Sequence, residues 1–331
     1  MSQLEFSRAV EERTMPIYSK LKSVIPVIEW PVFAPYIDKI NQLKKEKNAV
    51  ILAHNYQTPE IYHGVADYKG DSLGLAQMAT QTDADIIILC GVHFMAETAK
   101  ILNMEKTVLI PDSSAGCSLA SSITAEDVLN LKKLHPNAPV VTYINTSAEV
   151  KAVTDVCCTS SNALKVVEAL PEEKIIFIPD NYLGQYVASQ TNKEIILWHG
   201  KCEVHEKFTG DELRDYRSGF EGIKIIAHPE CPPDVLEEAD YVGSTKGMID
   251  YVANERPQNV VMITECSMSD NVSIEFPEVN FVKPCNLCPH MKKISLQKIL
   301  RSLELLEDQV YVDPTIAAAA LSSVLRMLEI K

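Results

Sequence analysis

The sequence predicts an α/β protein. It should contain three similar three-layer αβα domains related by pseudo-three-fold symmetry, each built on a small parallel sheet, with an active site at the centre between them. Two observations predict the architecture. From residue 49 onward, short β-branched apolar runs alternate with helical stretches, as in βαβ units whose parallel sheets are covered on both faces. No low-complexity linker separates the segments, so the units press together and leave a site between them. The symmetry comes from a third observation: three markers recur in one order at a spacing near 86 residues, the mark of duplicated supersecondary units.

The first 48 residues read as amphipathic helix broken by Pro16, Pro26, Pro31 and Pro35. Each repeat then opens with an apolar strand that ends in a polar triplet: ILAHNY at His54, VVTYIN at Tyr143 and IIAHPE at His228. A short acidic stretch follows, and a small-hydroxyl turn opens a helix: Ser72 in GDSLGLAQMA, Ser160 in TSSNALKVVEAL and Ser244 in GSTKGMIDYV. Next come a second strand (DIIILC, KIIFIP, NVVMIT) and a helical or looped stretch. A third strand leads to a cysteine in TVLIPDSSAGC, EIILWHGKC and NFVKPCNLC, so that Cys117, Cys202 and Cys288 stand 85 and 86 residues apart. Each unit should therefore hold three or four strands. After residue 289 the helices ISLQKILRSLELLE and PTIAAAALSSVLRMLEI are expected to complete the first unit together with the N-terminal segment. The expected domains are residues 1–122 with 290–331, 123–208, and 209–289.

The chain of 331 residues is long enough for several compact units, and 46% hydrophobic with 23% charged residues is ordinary for a soluble globular protein. A net charge of −14 argues against nucleic acid or an anionic membrane surface as partner. No run of 18 apolar residues offers a spanning helix. The N-terminus MSQLEFSRAVEERTM lacks the apolar segment of a secretory signal, so the nine cysteines read as cytoplasmic thiols available for metal or chemistry.

A repeat that delivers one thiolate per copy can set Cys117, Cys202 and Cys288 around a common axis. That ring suits an iron–sulfur cluster with three irons bound by protein and one open as a Lewis acid. The alternative is three buried, inert thiols. Cys285 makes a CxxC with Cys288, but no second CxxC completes a zinc ribbon; it is either a redox companion or simply the loop residue before the ligand. Cys90, Cys157, Cys158, Cys231 and Cys266 lie beside or within apolar runs, and most of them are expected to pack.

His54 and Tyr56, Tyr143 and Asn145, and His228 and Glu230 are pairs at i and i+2, so the two members of each point the same way. They close strands at the carboxyl ends, where open parallel sheets bind ligands. Glu230 suits general acid or base work; the alternative is that all six are satisfied polar strand ends. Ser72, Ser160, Ser244 and Thr245 stand at expected helix starts, either as N-caps alone or as anion sites built on free N–H groups. His205, three residues beyond Cys202, is placed to line the same cavity. No dinucleotide fingerprint or Walker loop occurs.

The motifs AHNYQ, GDSLGLAQMA, YINTSAEVKAVTDVCCTSSNA, HPECPPDV, GSTKGM and CPHMKKI closely resemble those of the quinolinate synthase (NadA) family, from about residue 35 to the C-terminus. The resemblance implies a 4Fe–4S enzyme of de novo NAD biosynthesis. Such an enzyme condenses iminosuccinate (iminoaspartate) with dihydroxyacetone phosphate to quinolinate and releases phosphate and water. It implies cluster ligation by Cys117, Cys202 and Cys288, and substrate binding at His54, Ser72, Tyr143, Asn145, Ser160, His228, Glu230 and Thr245. The family's tyrosine after the first histidine falls on Tyr56 and its second-domain histidine on His205. Within that frame His54, Tyr56 and Glu230 are expected to move protons, and Ser244 is counted with the substrate-binding set. Some members carry a longer cysteine run near the third ligand; this chain has only Cys285 and Cys288 there. The expected partners are the two small-molecule substrates, with a transient handover from the iminosuccinate-producing enzyme, in the cytoplasm.

Overall fold

The computed structural model describes residues 4–330; Met1–Gln3 and Lys331, counted above in the first domain, lie outside the described residues. Helix α1 (Arg8–Leu21) is capped by Ser7, whose Oγ accepts the Val10 amide, and it runs straight through Pro16. Helix α2 (Trp30–Glu46) has Pro31 in its first turn and Pro35 inside. Only the stretch around Pro26 interrupts the N-terminal helix, not all four prolines as expected. Each internal proline costs a backbone bond, and packing of one helix on the other offsets it. Tyr18 lies 4.8 Å from Trp30 between ring centroids, and Arg13 holds Asp38 through two bonds of 2.8 and 2.7 Å.

Three units of one design follow. The first comprises β1 (Ala49–His54), α3 (Pro59–Tyr62), β2 (Tyr68–Gly70), α4 (Ser72–Gln81), β3 (Ile86–Cys90), α5 (His93–Leu102) and β4 (Thr107–Leu109). The second opens with α6 (Ala125–Leu134) and continues with β5 (Val140–Tyr143), α7 (Ala148–Ala152), β6 (Val156–Cys158), α8 (Ala163–Ala169), β7 (Lys174–Ile178), α9 (Asn181–Gln190) and β8 (Glu194–Leu197). The third opens with α10 (Gly210–Gly219) and continues with β9 (Lys224–Ala227), α11 (Pro233–Glu238), β10 (Tyr241–Val242), α12 (Thr245–Glu255), β11 (Asn259–Ile263), α13 (Ser267–Glu275) and β12 (Asn280–Val282).

Every sheet is four-stranded and wholly parallel, and the order is the same three times: β2-β1-β3-β4, β6-β5-β7-β8 and β10-β9-β11-β12. The central strands are the apolar runs read from sequence, and β3 is buried along its whole length. The edge strands β2, β6 and β10 are new; at two or three residues they are too short to show a period.

One apolar core runs through the first two units, and the second carries a further cluster around Val140 and Ile176; the third unit's clusters, around Ile225 and Ile263 and around Met248 and Met262, lie apart on its two sheet faces. Tyr56 packs against both the shared core and the third unit. At the C-terminus α14 (Leu296–Leu305) buries Ile299, Leu300 and Leu303 and packs on α2. The segment after it pairs with β4, the Val310 amide donating to the Val108 carbonyl at 2.8 Å. Helix α15 (Pro314–Glu329) was expected to complete the first unit, but it lies mainly against α7 and β6 of the second. Its small buried residues Ala317 and Ala320 allow a close approach, and Ser323 Oγ donates to the Lys151 carbonyl at 2.9 Å. Among the described residues no helix is long and apolar enough to cross a membrane.

Candidate active site between the three units

Each of the three cysteines follows the last strand of its unit and stands three residues ahead of a short 3-10 turn: Ala120–Ser122, His205–Lys207 and Met291–Lys293. That local geometry turns two backbone N–H groups toward each sulfur. They come from Leu119 and Ala120 at Cys117, from Val204 and His205 at Cys202, and from His290 and Met291 at Cys288. Burial pushes the Cys117 thiol up to about 12 and raises Cys202 and Cys288 as well, while these amides work in the opposite direction. All three sulfurs are unpaired and line one cavity, which encloses about 710 Å³ of empty space with its mouth included. The donor set fits an iron–sulfur cluster: three free thiols from three units, each already facing amides that stabilise the thiolate, with the metal supplying the positive charge that burial otherwise demands.

A hydrogen-bonded chain crosses the cavity beside the sulfurs. His205 Nδ1 lies 2.7 Å from Glu230 Oε2 and 3.2 Å from Cys202 Sγ, and its Nε2 lies 2.9 Å from Thr264 Oγ1. The Cys202, His205 and Glu230 ligand atoms all fall within 4.8 Å of one another. Thr264 Oγ1 is 2.6 Å from the Tyr56 hydroxyl, and the Tyr143 hydroxyl donates to Glu230 Oε1. Burial disfavours the Glu230 carboxylate, but contacts from His205 and the Tyr143 hydroxyl outweigh it and hold the group below the usual carboxylate range. Burial also lowers His54 to about 4 and His228 to about 3, so both are neutral near pH 7. Burial raises the Tyr56 and Tyr143 phenols, Glu230 adding to the effect, so both keep their protons.

The i, i+2 pairs have a common local logic. The Tyr56 amide donates to His54 Nδ1 at 3.2 Å, and the Glu230 amide donates to His228 Nδ1 at 3.4 Å. In each neutral ring the proton is therefore on Nε2, and His228 directs it to Ser160 Oγ at 3.2 Å. The His205 and His228 rings stack at 4.7 Å, and His54 and Tyr56 meet edge-on at 4.6 Å.

Among the hydroxyls, Ser72 is the first residue of α4 and Thr245 the first of α12, and both reach the cavity. The N-cap of α4 is Asp71, which accepts from the Gly74 amide at 2.8 Å and from Ser161 Oγ of the second unit at 2.5 Å. Thr245 Oγ1 accepts from Asn55 Nδ2 at 2.9 Å. Ser160 lines the cavity but opens no helix. Asn162 Oδ1 accepts the Thr159 amide at 2.7 Å and closes a turn there, which postpones α8 to Ala163. Ser244 does not line the cavity: its Oγ caps α12 by accepting the Gly247 amide at 3.1 Å. Asn145 reaches the wall with a buried Oδ1 that has no partner.

The cavity thus gathers His54, Tyr56, Ser72, Tyr143, Asn145, Ser160, His205, His228, Glu230, Thr245 and the three cysteines. Sequence reasoning missed Thr264, Asp71 and the buried Glu265, which pairs with Lys292 at 2.9 Å and accepts the Cys288 amide at 3.3 Å. The signal was the polar end of NVVMIT, which falls on the second strand of its repeat rather than the first. Cys285 is exposed and Cys90, Cys157, Cys158 and Cys231 are buried.

Fold and cavity together define a three-unit parallel α/β protein with a thiol-lined central site. The family model of quinolinate synthetase A protein matches residues 38–329, and the chain belongs to that family. It is 59% identical over 328 residues to a quinolinate synthase of Sinorhizobium fredii, covering 99% of this chain and 91% of the relative. It is also 58% identical over 294 residues to one of Xylella fastidiosa, at 89% and 87% coverage, and 52% identical over 329 residues to one of Caulobacter vibrioides, at 98% and 90%.

Proposed function

We propose that this chain is a 4Fe–4S quinolinate synthase of de novo NAD biosynthesis. It would work in the cytoplasm, condense iminosuccinate with dihydroxyacetone phosphate, and release phosphate and water. Iminosuccinate would arrive by transient handover from the enzyme that makes it. The observation that carries the reading is the repeated setting of Cys117, Cys202 and Cys288, each under two backbone amides and all lining one cavity. These three would hold the cluster. When bound, the cluster supplies an open iron as Lewis acid.

The protein's own groups do the rest. Thr245 Oγ1 accepts from Asn55 and Ser160 Oγ accepts from His228, so each keeps its own proton to donate to a carboxylate or phosphate oxygen. Ser72, at the start of α4, adds a helix N-terminus to the same anionic load. The unpartnered Asn145 Oδ1 accepts from a substrate hydroxyl or nitrogen. Neutral His54 offers Nε2–H to a carbonyl oxygen beside the Tyr56 phenol, which serves isomerisation of the triose-derived part. Ionised Glu230 takes protons during the dehydrations and is steadied by Tyr143 and His205.

Purification without oxygen tests the reading. The protein should be brown, carry about four irons and four sulfides, and form quinolinate. Cys117→Ala, Cys202→Ala and Cys288→Ala should each lose both colour and product. A colourless, iron-free protein that still makes quinolinate would refute it.

A further inference from the structure

Thr264, just beyond the end of β11, is fully buried and has no part in the roles above. Its one hydroxyl stands between side chains of the other two units: the Tyr56 phenol of the first at 2.6 Å and His205 Nε2 of the second at 2.9 Å. We propose that Thr264 is a positioning residue whose hydroxyl aims the Tyr56 proton and fixes the His205 ring for the chemistry of the cavity; the inference rests on the functional reading above.

The contacts form one continuous line across the three units. His205 Nδ1 faces the Glu230 carboxylate at 2.7 Å, which can only accept, so Nδ1 carries a hydrogen. Nε2, on the far side of the ring, meets Thr264 Oγ1 at 2.9 Å, so the hydroxyl and the carboxylate grip the ring from opposite edges. The same oxygen meets the Tyr56 hydroxyl at 2.6 Å, so one atom joins the phenol to the imidazole. The line ends on Glu230, whose other oxygen receives the Tyr143 hydroxyl. A hydroxyl at this position holds the phenol and the imidazole in fixed places through a single oxygen. Without it both groups lose a fixed partner in a buried place.

Thr264→Val keeps the branched shape and removes the hydroxyl, whereas Thr264→Ser keeps the hydroxyl. In protein purified without oxygen and matched for iron content, Thr264→Val should lower kcat about 10- to 100-fold. KM for both substrates should stay within about threefold, and Thr264→Ser should recover most of the rate. Iron content and thermal midpoint of the two variants should match those of the parent, a result that a merely structural role does not predict. Should Thr264→Val fail to hold its fold or its iron, Thr264→Ala against Thr264→Ser gives the same comparison, since those two differ only by the hydroxyl. Parental kcat in a hydroxyl-free variant, or equal loss in the variants with and without the hydroxyl, overturns the inference while the functional reading stands. Parent protein that makes no quinolinate defeats the functional reading and this inference together.

Discussion

At Glu230 burial and hydrogen bonding pull in opposite directions, and the partners win; at His54 and His228 nothing opposes burial strongly enough, and both rings stay neutral. The imbalance has a consequence for stability. In the unfolded chain an imidazole takes up a proton near pH 6.5, whereas folded His54 does so only near 4. The unfolded state thus binds more protons between those values. The contribution of His54 is complete above about pH 6.5 and is lost as pH falls toward 4. Buried acids such as Glu97, Glu265 and Asp180, whose carboxyls are raised by burial, act with the opposite sign. A difference measurement isolates the histidine. From pH 7 to pH 5 the parent should lose about 2 kcal/mol more stability in urea melts than His54→Gln does, and parallel pH profiles would contradict this. The residues of this cluster were legible because polar groups stood at i and i+2 where apolar strands stopped. Thr264 was not, because nothing local distinguishes a threonine that bridges two other units from one that merely ends a strand. Ser244 shows the converse: a hydroxyl at a helix start is a cap first, and sequence does not say which way it faces.

Among the elements, α9 illustrates how tightly the helices seat on their sheets. A Cβ on Gly184 would lie 2.4 Å from Leu197 Cδ2 on β8 and 3.1 Å from Phe177 Cδ1 on β7. Gly184→Ala should therefore destabilise the protein by about 1–3 kcal/mol despite the better helix propensity of alanine. A lowered calorimetric midpoint with unchanged iron content is the expected result, and an unchanged midpoint would show that α9 can retreat freely. The central strands were readable as apolar runs and the helix faces as spaced leucines. The edge strands were not, since β10 pairs through only two residues and its place is set by hydrogen bonds to β9 rather than by its own composition. Likewise the alanine run of α15 announced a helix with a flat face but not the surface that would receive it.

For the whole molecule, the period near 86 residues gave the three-fold plan, yet the units are not equally joined. The first two share one core, and the third keeps its own. Its links at the cavity include Tyr56 to Thr264, His205 to Thr264, His205 to Glu230 and Tyr143 to Glu230. Amides of β9 and β11 should exchange with deuterium faster than those of β1 and β3. Adding quinolinate should slow the third unit most, whereas uniform protection across the three sheets would contradict the division. Repetition could not disclose this inequality, because it arises outside the repeat, in the segments that run over the second unit's flank. There the final helix works as a strap: it spans the seam between the units that carry Cys117 and Cys202, and none of its residues lines the cavity. A chain cut short before Pro314 would retain every cavity residue and still let two of the three anchor points drift apart, so a lesion at the far tail would be felt as a fault at the heart of the protein.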